Sequence, residues 1–235
     1  DVSADSTEAT ISTEHPVVDV TGFGSVAKSF RPGQYSWTAD LRGWFNNRGG
    51  TAGAEVALQA LSIGTAGTAA PTTQKLWGIF PEGTAVGSYG YAGPAALVGY
   101  GRSIPVGAAV GVTAKIQGTS QIGRAYVLTA GVQTANSTSS VWDNSAASTN
   151  GGCGYMWIPD SVQGTVGTVT IQSSSDNNTY TALCTFGTTN AAAGGTSQFI
   201  FIDPATTVAQ YLRTVIGGGT SASFSMPIVT AFARF

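Results

Sequence analysis

Residues 106–117, VGAAVGVTAKIQ, set Val106, Ala108, Val110, Val112, Ala114 and Ile116 on one side of an extended chain and Gly107, Ala109, Gly111, Thr113, Lys115 and Gln117 on the other. A period of two puts one row of side chains on a core and leaves the other for water or a partner, the pattern of a half-buried antiparallel strand. Twelve residues is long for such a strand. The same alternation appears upstream, where Tyr35, Trp37, Ala39, Leu41 and Phe45 are apolar against Gln34, Ser36, Thr38, Asp40 and Arg42.

Working outward, short apolar runs broken by Gly-rich or Ser/Thr-rich stretches predict further strands at about 16–23, 75–80, 85–92, 95–104 and 122–129. One segment departs from the pattern. Ala54, Ala57, Leu58 and Leu61 recur at helical spacing between Thr51, which can cap a start, and Gly64, which can end it, so a helix is predicted over about 52–63. Residues 65–73, TAGTAAPTT, read as a loop or arm. Apolar periodicity is lost after Gly131, which predicts a boundary at 130–135 and two domains, 1–133 and 134–235. Beyond it, strands are predicted at about 155–159, 167–173, 179–186, 197–202, 209–216 and 224–234, with Ser173 to Asn178 turning a hairpin. The expected fold class is therefore mainly β with a single helix. The two halves share no internal repeat.

Composition narrows the function. Of 235 residues 42% are hydrophobic but only 9% are charged, and the formal net charge is -2. A surface this neutral provides little mutual repulsion and suits a chain covered by other subunits. Residues 1–133 hold eight Lys or Arg and eight Asp or Glu, and residues 134–235 hold two and four. No basic stretch stands out, so tight binding to nucleic acid is not expected. The sequence has no run of about 20 apolar residues, and Asp1 to Asp5 lacks the regions of a signal peptide, so the chain is expected to be soluble, with no membrane partner.

Catalytic machinery is hard to assemble from these residues. His15, the single histidine, precedes Pro16 in a polar segment and reads as a solvated loop residue rather than a general base. Asp143, Asp160, Asp176 and Asp203 each lie beside turn-forming residues, so capping explains them better than a catalytic carboxylate pair. Gly217 to Gly219 reads as a turn, and neither a nucleophile elbow nor a phosphate loop occurs. Cys153 and Cys184 have two readings, a disulfide worth roughly 3–4 kcal/mol in the chain-entropy model or two small buried hydrophobes, the second being favoured. With one histidine they make no recognisable zinc site. We therefore expect no catalytic, cofactor-binding or metal-binding residues and no cofactor. The triplets beginning at Asn136 and Asn177 match the glycosylation pattern by chance in so Thr-rich a chain. Among Trp37, Trp44, Trp77, Trp142 and Trp157, core packing is expected for Trp37 and Trp77, and Trp142 is the best candidate for an exposed, sugar-stacking indole.

The segment Val18 to Gly24 (VDVTGFG), then Phe30 to Gly33 (FRPG), then Trp37 to Phe45 (WTADLRGWF), resembles the major tail tube proteins of long-tailed bacteriophages, which carry such elements in this order. Phe80 to Thr84, Tyr91 to Ala95 and the strand pair around 95–117 are similar to that family's remaining strands. Val169 to Asp176, Tyr180, Leu183 and Tyr211 to Arg213 resemble a β-sandwich appended to some members, while Asp1 to His15 matches nothing in the family. The resemblance implies a tail-tube β-sandwich or barrel followed by a small all-β sandwich. It implies a subunit that closes rings, usually of six, stacked into a tube through which DNA is ejected. The implied partners are further copies of the chain, a tape-measure protein, and tail terminator and tip proteins, with DNA only transiently in the lumen. The implied location is the virion tail, after synthesis in the host bacterial cytoplasm. Residues 106–117 and their neighbours would then be the lumen wall, with 65–73 and the N-terminal arm as contacts between rings. Two other readings stand beside it, a glycan-binding β-sandwich module and a capsid decoration protein.

Overall fold

The computed structural model describes residues 6–22, 27–44, 75–105, 110–158, 168–187, 196–217 and 225–235. The helix expected over 52–63, the loop 65–73, the start of the 106–117 run and Asp160 lie outside them. Among the described residues all regular structure is strand and no helix occurs: β1 (Ser6–Glu14), β2 (Val17–Asp19), β3 (Phe30–Pro32), β4 (Ser36–Trp44), β5 (Lys75–Ile79), β6 (Tyr89–Ser103), β7 (Gly111–Gly118), β8 (Gly123–Gln133), β9 (Ser137–Thr138), β10 (Trp142–Asp143), β11 (Gly152–Ile158), β12 (Thr168–Ser174), β13 (Thr181–Phe186), β14 (Thr196–Ile202), β15 (Tyr211–Gly217) and β16 (Met226–Arg234). The chain forms two compact units, one of residues 1–75 and 93–122, the other of 76–92 and 123–235.

In the first unit the order is β1-β4-β7-β6, all antiparallel. The odd residues of β4 and the even residues of β7 face one core, as the alternation requires: Trp37, Ala39, Leu41, Val112, Ala114 and Ile116 are all buried. Ala39 stands opposite Ile116, and Leu41 opposite Ala114. The Trp37 indole packs against Gly118 and Gly93, which have no Cβ to obstruct it, and its Nε1 donates to the Ser120 carbonyl at 2.7 Å. Beyond the Glu14–Ser36 pair the β1–β4 hairpin continues as a two-stranded ribbon, β2 with β3.

The second unit is a sandwich. One sheet runs from residues 89–92 of β6 through β8, β16 and β11 to β14; the other has the order β10-β15-β12-β13, with β9 also on β15. Their facing sides meet in an apolar core that includes Leu128, Met156, Ile171, Phe186, Leu212 and Phe232. A polar link crosses it: the buried hydroxyls of Thr214 on β15 and Thr230 on β16 are 2.7 Å apart. Gly154 lets the β12–β13 sheet approach β11, since a Cβ there would strike Cys184 Sγ. Cys153 points to the opposite face, where it packs with Tyr155 and Ala233. The two thiols are free, as the favoured reading of them requires.

The division of the chain differs from the expected one at 133/134. β8 pairs with β16 along its length, from Ala125–Ala233 to Gln133–Met226, so residues 123–133 belong with the C-terminal half. Lost periodicity after Gly131 marks the end of a strand and not of a domain. Likewise the strands expected at 85–92 and 95–104 are one, β6, which carries Pro94 within it. Before Pro94 the strand pairs with β8 and after it with β7. Proline, lacking a donor, sits where the ladder changes partner, and its carbonyl accepts from Thr119 N–H at 3.0 Å.

Candidate assembly surfaces

The sequence of β14, TSQFIFI, contains no charge and no proline. Ile200 and Ile202 turn toward the sandwich core, and Phe199 and Phe201 therefore turn the other way. β11 occupies one edge of β14, with Phe201 opposite Cys153 and Phe199 opposite Tyr155. Among the described residues no strand pairs with the other edge. Phe201 is 48% exposed and meets Phe199 edge-on at 5.5 Å and Phe235 at 6.4 Å. A bare apolar edge with unpaired backbone groups is a template for another strand, and monomeric proteins ordinarily blunt it with charge or proline. β1, paired on one side only among the described residues, is blunted: Glu8 and Glu14 lie in it, and Glu8 forms an ion pair with Arg42 at 3.6 Å.

The β2–β3 ribbon is apolar on the outside. Val17 is 64% exposed, Phe30 56%, and Val18 and Val20 are also exposed. Asp19 tightens its turn by accepting from the hydroxyl and the N–H of Thr21, whose Oγ1 in turn accepts from Ser29 N–H. Those hydrogen bonds hold the Asp19 carboxyl below its ordinary pKa. A two-stranded ribbon with four bare apolar side chains is marginal in water and gains from being covered.

On the first unit's other face, a cleft of about 500 Å³ is bordered by Glu8, Asp40, Arg42, Tyr100 and Lys115. Register puts Glu8 opposite Arg42 and Asp40 opposite Lys115, so each acid faces a base and the face cancels its own charge. In the second unit, Tyr89 stands opposite Tyr126, and Tyr91 opposite Arg124, on neighbouring strands. The Arg124 guanidinium lies 4.3 Å from the Tyr89 ring centre and 5.6 Å from that of Tyr126, and Trp142 stacks on Tyr126 at 4.4 Å.

The structure gives local partners to His15 and to three of the four aspartates singled out in the sequence, Asp160 lying outside the described residues. His15 packs its ring on Tyr35 at 4.8 Å. Asp143 accepts from Ser145 N–H and Gln210 Nε2, Asp203 from Ala205 N–H, and Asp176 from Ser174 Oγ and the N–H groups of Asn178 and Thr179, each fixing a turn. The Asp176 bonds depress its pKa, the Thr179 N–H foremost. Burial pushes both thiols up to about 12, far from a reactive range. Among the described residues no group of three His, Cys, Asp or Glu converges. Trp142 is not the exposed indole that was expected: its short strand tucks it, half-buried, against the sandwich core. Trp44, at the end of β4, is the exposed one, at 56%. The β14 edge and the ribbon went unmarked in the sequence, although the uncharged FIFI run was a readable signal for the first.

No protein-family model matches the chain, and neither does any curated protein. Among solved structures, the Dit protein of phage SPP1, described as a hub of the adsorption apparatus in phages infecting Gram-positive bacteria, is 9% identical; the match covers 99% of this chain and 95% of that one, with a TM-score of 0.32. A structure of the Gx strain of infectious bursal disease virus is 12% identical over 96% of this chain and 51% of that one, with a TM-score of 0.20. At such scores neither carries an argument about fold or role.

Proposed function

We propose that this chain is a non-catalytic structural subunit of a phage tail, which closes into rings of six and stacks into the tube that conducts DNA at ejection. The observation that carries the reading is the edge of β14 with which no strand pairs among the described residues, uncharged and flanked by Phe199, Phe201 and Phe235. Head-to-tail pairing of such an edge with a different surface of the next copy generates rings when the rotation closes. The β2–β3 ribbon supplies a second apolar surface for contacts between rings. The cleft face, with acids opposite bases, suits a lumen wall, because a conduit must not hold phosphates through several unpaired cations. Partners on this reading are further copies of the chain, a tape-measure protein inside the tube, and terminator and tip proteins at its ends. Synthesis takes place in the host cytoplasm and the mature location is the virion tail.

Electron microscopy of the purified full chain at high concentration tests the proposal. Hollow rings, alone or stacked, are the expected result. A monomer in sedimentation velocity at every concentration, with no rings in any preparation, overturns it, and attachment to an icosahedral shell would assign the chain to a capsid instead.

A further inference from the structure

Arg124 is exposed, and its guanidinium is held over two phenol rings rather than by an acid. The one ion pair among the described residues is Glu8–Arg42, elsewhere in the fold. Cation–π contact takes up the face of a guanidinium and leaves its N–H groups, which lie in the plane, available for the two oxygens of a carboxylate. Directly opposite Arg124 in register is Tyr91, 37% exposed, which meets Tyr89 edge-on at 6.5 Å. Opposed residues on neighbouring strands hold their Cβ atoms about 5 Å apart, close to the width of one pyranose ring. Glu82 directs its carboxylate to the N–H of Tyr89 at 3.5 Å.

We propose that Tyr91 and Arg124, supported by Tyr89 and Tyr126, form a binding site for an acidic saccharide, with a sugar ring stacked on Tyr91 and its carboxylate received by Arg124. A single cation suits one anionic group per site and falls short of the several phosphate contacts that hold a nucleic acid. The phenol hydroxyls of Tyr89 and Tyr91 add donors for sugar hydroxyls. This site uses neither the β14 edge nor the ribbon, so it stands or falls independently of the tube.

Trigalacturonic acid, added to the full chain and followed by intrinsic fluorescence and by NMR chemical shifts, is the probe. Binding is expected for the trisaccharide, and about tenfold weaker binding for Arg124→Gln and for Tyr91→Ala, each with an unchanged near-ultraviolet circular dichroism spectrum. Should Arg124→Gln fail to fold, Arg124→Lys keeps the charge without the planar fork and is expected to weaken binding as well. The proposal is overturned if the wild-type chain ignores millimolar trigalacturonate. It is equally overturned if the fully methyl-esterified trisaccharide binds as well as the acid, which removes the carboxylate, or if acetate does, which removes the ring.

Discussion

Two residue pairs in the second unit make opposite uses of burial. Cys153 and Cys184 lie on opposite sides of β11 and are buried chiefly among apolar side chains. Desolvation penalises their thiolates, so each keeps its proton to about pH 12, whereas in the unfolded chain it titrates near 9. A folded-state pKa raised in this way contributes stability that is fully present below pH 9 and is lost as pH rises toward 12. Thiol titration with an aromatic disulfide at pH 8 should find no reactive group in the native protein and two in denaturant, and the urea midpoint should fall between pH 9 and 11. Thr214 and Thr230 are buried with a specific bond instead. Thr214→Val leaves the Thr230 hydroxyl without its partner and should cost about 1–3 kcal/mol, while the double change to Val should be nearly neutral. A double-mutant cycle by urea unfolding measures the coupling.

At the scale of elements, β4 and β7 were legible in period-two alternation because one face of each is buried. The alternation around 35–45 and 106–117 located the core residues of β4 and β7, and the turn residues after Ser173 located the β12–β13 hairpin. The extent of β6 was not legible, because proline reads as a break and only its position between two ladders makes it tolerable. Nor was the exposed edge of β14. Alternation says which face a side chain takes, and it carries no information on whether a neighbouring strand exists. The row of Tyr89, Tyr91, Arg124 and Tyr126 escaped notice for the same reason, since its members come from separate strands and only register brings them together. If the β14 edge is an assembly surface, Phe201→Lys should abolish rings while shifting stability by about 1 kcal/mol or less, because Phe201 is half exposed. Sedimentation velocity and thermal melts of the same sample separate the two effects. Rings formed as readily by the variant would exclude that edge.

For the whole molecule, neither compact unit is a continuous stretch of chain. Cutting after Gln133, where the sequence suggested a boundary, strips β8 of β16 and should leave both fragments unable to give a cooperative thermal transition, whereas an independent second domain would melt normally as residues 134–235. The pairing of β8 with β16 also has a consequence in time. At 5–20 residues per second, a ribosome that has finished β8 needs roughly 5–20 s more to deliver β16. Throughout that interval the flank of β8 that β16 will take has no permanent occupant, long enough for many encounters with neighbouring nascent chains. A chain built this way is open to mispairing for seconds, and slowing translation between residues 134 and 225 should lower the soluble yield without any change in the sequence.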